Sequence, residues 1–419
     1  MIRRVVRSVT LGWLAIMAVG CRRDTSTSPS DASPMIGASA VRPAEVASAT
    51  ALSTLLGDVD SGAQARKRSA TGARADERIQ VPTGRFMAGS LPGDEGREPR
   101  SEPIQLPFSL SAYEIDRLPY PNDPAQPPRT DLTRREAARL CAQRGERLCS
   151  ELEWENACKG TANDAYATGD AWDPACSREP TTCASGLGVL GMGALREWTA
   201  SDVLSLDKDD KSLGAVRGAS PSAEPNDHRC ARRIALASTA HARDIGFRCC
   251  TGSPNAATIP ATRLGPAAKK ISLDPAQLAQ IFAGIPQLAS VKDSIRYFAE
   301  PDDTATVLRR GRTAQGPADL EGFTLTTSPL LWNPAPGEEV VVVLGHGAKD
   351  SFIVALYRLP ENRYRLASSL LLVNDLGPFA LAYHPEVRER LIWSSCWKCT
   401  GEGGTVSLRD GRRIIIVQQ

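Results

Sequence analysis

Histidine is scarce in this chain: His228, His241, His346 and His384 are the only four in 419 residues, and no two stand in a His-x-x-x-His relation. An iron site built on clustered imidazoles is therefore not expected, because such a site needs several rings converging from regular spacings. No basic patch interleaved with aromatics occurs either, and the formal net charge is only +2. Both features argue against a nucleic-acid role. The apolar run from Val9 to Val19 is too short to remain as a membrane span, which takes about 20 apolar residues. Residues 22–78 contain no aromatic residue and are rich in Ser, Ala, Thr, Pro, Asp and Arg. Such a segment cannot bury enough apolar area to offset its ordering entropy, and we read it as a disordered tether.

The N-terminus carries a recognisable signal. Arg3, Arg4 and Arg7 precede the apolar run, in the shape of a secretory signal peptide. The run ends in Ala18-Val19-Gly20-Cys21, which resembles a lipobox with Ala18 where Leu is usual. The resemblance implies lipidation of Cys21, attachment to membrane lipid, and a place in the cell envelope facing periplasm or exterior. The chain has eleven cysteines, so setting Cys21 aside leaves ten, an even number. In an exported chain that favours disulfides over metal ligands.

Beyond the tether, residues 79–252 read as a first globular domain. Helical periodicity runs from about Thr133 to Arg144, with Ala137, Ala138, Leu140 and Cys141 on the apolar side. Thr133 and Glu136 have capping-box spacing, and so do Ser150 and Glu153 at the head of a second helix reaching about Lys159. Residues 253–270 read as a linker, and residues 271–419 as a second, mainly antiparallel β domain. It opens with a helix over Asp274–Ala283 and continues as strands over Val340–Leu344, Phe352–Arg358, Arg365–Val373, Phe379–Tyr383, Leu391–Ser394, Thr405–Leu408 and Arg412–Val417. Short strands at this spacing favour a meander or barrel, and no fixed-period repeat stands out.

An ordered set of motifs in the first domain resembles the formylglycine-generating enzyme family, also called the sulfatase-modifying-factor domain. Val81-Pro82-Thr83-Gly84-Arg85-Phe86-Met87-Ala88-Gly89-Ser90 is similar to its opening segment. Phe108 to Asp116 looks like the strand that follows, and Gly145-Glu146-Arg147-Leu148-Cys149-Ser150-Glu151-Leu152-Glu153-Trp154-Glu155 like its "GKRLPTEAEWE". Arg196-Glu197-Trp198-Thr199, Val216-Arg217-Gly218-Ala219-Ser220 and Gly246-Phe247-Arg248-Cys249 complete the series. The resemblance implies a loop-rich α+β fold related to C-type lectin-like domains.

It also implies where chemistry would sit. Family members that oxidise a sulfatase cysteine bind copper through two cysteines, five and ten residues before a structural cysteine that Cys230 matches. Here those positions hold Pro225 and Ser220. Neither supplies the thiolate that copper(I) and the reaction need, so copper is not expected. The resemblance further implies disulfides Cys158–Cys249 and Cys176–Cys230. Cys141, Cys149, Cys183 and Cys250 remain, with three connectivities open. Calcium is the other implied metal. Its ligand segment reads Gly193-Ala194-Leu195-Arg196-Glu197-Trp198, so Ala194 removes one donor and Glu197 is the candidate that is left. Calcium wants six to eight oxygens. Arg233, three residues after Cys230, matches a substrate-pocket arginine, with Arg232 beside it as the alternative; with the redox cysteines absent a structural arginine is the favoured reading, and a vestigial pocket of Arg233 and Trp198 the other. Cys396 and Cys399 have redox-motif spacing, but Gly401, Gly403 and Gly404 follow, so a local disulfide is expected rather than a helix-capped thiolate.

Three readings of function follow. The first is a binding or scaffold module of the envelope that keeps the family's frame without its redox pair, with an envelope protein or glycan as partner. The second is a divergent copper- and oxygen-dependent oxidase acting on a protein cysteine through other thiols. The third is a structural envelope protein whose β domain carries the interaction. Trp154 and Trp198, beside Glu153, Glu155 and Glu197, are expected in the core rather than on a stacking platform.

Overall fold

The computed structural model describes residues 72–204, 213–261, 265–300, 322–394, 403–410 and 413–418. Cys21, the apolar leader and the Cys396–Cys399 pair lie outside them. No helix among the described residues is long and apolar enough to cross a membrane.

The first domain is built from short strands β1 (Arg78–Val81), β2 (Gly84–Ala88), β3 (Leu106–Leu110) and β4 (Tyr113–Asp116), then helix α1 (Arg134–Gln143), strand β5 (Arg147–Leu148), helix α2 (Glu151–Lys159) and the single turn α3 (Ala175–Arg178). Strands β6 (Arg196–Val203), β7 (Leu213–Arg217), β8 (Arg233–Ala237), β9 (Ile245–Phe247) and β10 (Cys249–Thr251) follow. Two four-stranded sheets, β1-β4-β10-β5 and β8-β7-β6-β9, and the β2–β3 hairpin frame the helices. Both helices start where the capping boxes place them. The Thr133 hydroxyl accepts from Glu136 N at 3.3 Å while the Glu136 carboxylate accepts from Thr133 N at 2.9 Å. Ser150 and Glu153 repeat the exchange at 3.2 and 2.8 Å. Each box satisfies backbone donors that a helix start otherwise leaves orphaned.

The cysteines are paired differently from the family-derived expectation. The bridges are Cys141–Cys249, Cys149–Cys250, Cys158–Cys230 and Cys176–Cys183, so Cys158–Cys249 and Cys176–Cys230 are corrected. Strand geometry gives the reason. Successive residues of a strand point to opposite faces, so Cys249 and Cys250 on β10 must find partners on opposite sides. Cys249 joins Cys141 of α1 in the cluster of Leu140, Trp198 and Phe247, while Cys250 joins Cys149 in the cluster of Ile115, Leu152 and Trp154. Cys158 of α2 then reaches Cys230 in that second cluster. Non-reducing peptide mapping should recover these four linkages; a peptide joining Cys158 to Cys249 would contradict the arrangement. These bridges fit an oxidising compartment outside the cytoplasm.

The β domain has strand β11 (Ala268–Lys270), helix α4 (Pro275–Ala283), then β12 (Thr324–Thr326), β13 (Leu330–Trp332), β14 (Val340–His346), β15 (Ser351–Arg358), β16 (Tyr364–Leu372), β17 (Ala380–Tyr383), β18 (Arg390–Ser394), β19 (Gly403–Arg409) and β20 (Arg413–Gln418). They form two antiparallel sheets, β11-β13-β14-β15-β16 and β12-β17-β18-β19-β20. Strands β14 and β15 alternate with period two between two cores. Val340, Val342, Leu344, Ile353, Ala355 and Tyr357 face the second sheet, whereas Val341, Val343, Phe352, Val354 and Leu356 face α4. Burial on both faces explains why these strands read as unbroken apolar runs.

The second sheet repeats the build of the first about fifty residues further on. Each takes an edge strand from upstream and then four consecutive strands, and each passes from its first to its second consecutive strand through an aromatic-x-Pro turn, Trp332-Asn333-Pro334 and Tyr383-His384-Pro385. Sequence reading missed this repeat because little besides that turn is shared.

The two domains belong to one compact unit, joined by the segment after β2. Arg97, only 3% exposed, donates to Glu338 Oε1 at 2.6 Å and to the carbonyls of Gly337 and Glu102. Arg365 of β16 donates to Asp94 at 2.9 Å and Pro92 O at 3.2 Å. Leu91 packs into the core between the sheets. Gly93 sits at φ +83 with the Tyr357 ring 2.8 Å from where a Cβ would lie, so this close approach needs glycine.

Candidate functional site

Helix α2 places three acids, Glu151, Glu153 and Glu155, in the interior, and each is matched by cations. Arg233 grips Glu151 with two bonds of 2.6 and 2.8 Å, and Arg217 reaches Glu151 at 3.2 Å and Glu155 at 3.0 Å. Lys159, one turn beyond Glu155, pairs with it at 3.3 Å and donates to the carbonyls of Met87 and Gly89. Burial pushes the Lys159 ammonium below its ordinary value, and Glu155 opposes the shift. Glu153 is bound by Arg147 at 2.8 Å through both oxygens; burial raises its carboxyl, but the Arg147 bonds win and hold it below the usual range. Buried charges persist where they are paired in this way.

Neighbouring pairs extend the pattern. Glu102 takes two bonds from Arg229 and one from Ser90. Its burial raises the carboxyl, and Arg229 more than offsets that. Sequence reading found the residues of α2 but not this network. The signal was the pattern Glu151, Glu153, Glu155, Lys159 on a capped helix, whose acids fall on more than one helix face and so cannot all reach water.

The residues singled out for chemistry are placed as follows. Arg233 is the cation on Glu151 and is buried. Arg232 pairs with Asp227. Trp198 is 1% exposed, packed with Ala137, Val216 and Phe247, and its indole N–H donates to Leu132 O at 2.9 Å. Trp154, likewise 1% exposed, donates to Glu197 at 3.0 Å.

The donor sets for the two implied metals do not fit. Ser220 and Pro225 stand where the resemblance implies redox thiols, and Pro225 opens a short 3-10 turn ending at His228. Every cysteine among the described residues is in a disulfide, so none of them offers copper a thiolate. Glu197, the calcium candidate, is fully buried with Arg248 Nε at 2.9 Å and the Trp154 indole on the same carboxylate. A second cation has no approach to it, and Ala194 carries no oxygen on its side chain. Burial raises the Glu197 carboxyl against the pull of Arg248. Asp116, Glu146 and Cys249 present donor atoms within 4.8 Å of one another. However, the Cys249 sulfur is bonded to Cys141, and Arg144 already bridges both carboxylates at 3.2 Å.

Asp116 has a measurable consequence. Its burial pushes the carboxyl up to about 6 from 3.8, against the pull of Arg144. The folded state therefore holds this proton to higher pH than the unfolded chain. The stabilisation is fully present below the unfolded value and is lost as pH rises through about 6, an effect of about 3 kcal/mol at 1.36 kcal/mol per pH unit. Between pH 4 and 7 the parent should lose about that much stability relative to Asp116→Asn in parallel urea titrations. Parallel curves for the two proteins would show that Asp116 does not titrate there.

Residues 116–252 match the family described as sulfatase-modifying factor enzyme 1-like domain. The chain is similar to the solved structure of PvdO from Pseudomonas aeruginosa, with 17% identity over 41% of this chain and 93% of that one, and a TM-score of 0.35. Treponema denticola variable protein 1 is similar with 13% identity over 41% of this chain and 94% of that one, at a TM-score of 0.32. CarF is similar with 16% identity over 42% of this chain and 97% of that one, at 0.31. No curated protein matches the chain.

Proposed function

We propose that the sulfatase-modifying-factor-like domain of this chain is a binding or scaffold module of the cell envelope, without the oxidase chemistry its frame suggests. The observation that carries this is the pairing of side chains at the former reaction site. Ser220 and Pro225 stand where the redox thiols belong, and Arg233 is committed to Glu151. A frame stapled by the Cys141–Cys249, Cys149–Cys250 and Cys158–Cys230 bridges is rigid, which suits display of a binding surface. The lipobox-like Ala18-Val19-Gly20-Cys21 supports attachment to membrane lipid, and residues 22–78 would lift the domains from the surface.

Copper(I) titration of the disulfide-intact chain tests the reading. Only weak binding is expected, and a tight stoichiometric site would overturn it. The anchor is tested separately: Cys21→Ser should move the protein from the membrane fraction to the soluble one. Unchanged membrane retention would remove the lipid anchor from the account.

A further inference from the structure

The groove between α4 and the β15–β16 turn, we infer, is a binding site for a carboxylate-bearing saccharide. It encloses about 730 Å³, within the range of small-ligand sites, about 300–1,000 Å³. Three features define its chemistry. The floor is apolar, formed by Leu273, Val341 and Leu359, with Ile281 at its side. One wall is α4, whose Leu278 and Phe282 turn to the sheet and leave Gln277 and Gln280 on the groove, side by side at helical i, i+3 spacing. The other wall is the turn, with Arg358, Asn362 and Arg363.

The turn is built to bring those groups together. Glu361 and Asn362 lie consecutively in the left-handed region, at φ 62 and 55, although neither is glycine. Such conformations persist where the surroundings over-determine them, often beside ligands. Leu359 N donates to Arg363 O at 2.9 Å, closing the loop. Arg358 Nη2 donates to Asn362 Oδ1 at 3.2 Å, which fixes the guanidinium on that wall. Two arginines, Arg358 and Arg363, line the cavity and no acid does, among the described residues. Glu339 lies 3.5 Å from Arg358 on the exposed side, and Glu361 belongs to the same turn without lining the groove.

A guanidinium presents paired donors that match a carboxylate. The amides of Gln277, Gln280 and Asn362 each both donate and accept, which suits hydroxyl groups. An apolar floor suits the C–H face of a sugar ring. An extended peptide fits less well. Beneath the groove, Val341 and Arg358 belong to strands interior to the sheet, and the edge strand β16 reaches it only through its first residue, Tyr364, too short a stretch for a peptide strand to pair with.

The test uses the full, disulfide-intact chain and isothermal titration at about 0.15 M salt, where loose surface attraction is screened. Trigalacturonate, the neutral trisaccharide maltotriose and a triaspartate peptide are the probes. Saturable binding of trigalacturonate is expected, with none of maltotriose. Arg358→Gln and Arg363→Gln should each weaken it about tenfold or more. Gln280→Leu touches no ion pair and should also weaken it, which keeps the test decisive should Arg358→Gln fail to fold. Failure of trigalacturonate to bind, binding unchanged in all three variants, or triaspartate binding as tightly would each overturn the proposal. None of these outcomes bears on copper binding by the first domain, so the two readings fail independently.

Discussion

Replacing Trp154 with alanine should destabilise the first domain by about 3–5 kcal/mol, the cost of emptying a large aromatic site in a packed core. That is a large share of a typical stability of about 5–15 kcal/mol. The side chain is 1% exposed and packs among Ile115, Leu152, Val189 and the Cys149–Cys250 bridge. Its indole also donates to Glu197, so alanine leaves a fully buried carboxylate with Arg248 as its remaining side-chain donor. Trp154→Phe keeps most of the volume and removes only the donor; a bond to a charged group contributes about 1.5–3 kcal/mol, so its loss should be the smaller one. Urea unfolding of the three proteins measures the series. A Trp154→Ala variant that unfolds like its parent would move this tryptophan out of the core and make it a binding residue.

Arg97→Ala should cost about 3–5 kcal/mol, because it strands a buried acid rather than merely breaking a pair. Glu338 is 5% exposed, and its partner Arg97 also holds Gly337 O across the junction of the two domains. Burial already raises the Glu338 carboxyl while Arg97 draws it down. Without Arg97 the acid should protonate more readily, so the loss should be smaller at pH 5 than at pH 8. The double variant Arg97→Ala, Glu338→Ala should lose less than the sum of the single variants. Strict additivity would show that this pair does not join the domains.

Local signals in the sequence were strong and local structure followed them. The capping boxes at Thr133 and Ser150 start their helices, and Asp274 caps α4 by the same device. The strand runs from Val340 onward end within a few residues of β14 to β20, because both-face burial and turn residues mark them plainly. The short strands β11, β12 and β13 were not legible: three residues carry too little periodicity, and pairing with a distant strand decides their state. Cysteine pairing failed for a different reason. Position along the chain does not show that Cys249 and Cys250 face opposite ways on β10 and so take partners on opposite sides. Glu197 read as a ligand because sequence shows a carboxylate but not Arg248 and Trp154 closing on it.

The central claim is our proposal that the domain matching the sulfatase-modifying-factor model over residues 116–252 lacks oxidase chemistry, with its eight cysteines all in bridges. Mass spectrometry of a cysteine-containing peptide, incubated with the full disulfide-intact chain, copper and oxygen, tests it most directly. The account predicts that the peptide returns without an aldehyde. Oxygen-dependent conversion of its cysteine to formylglycine would contradict the account.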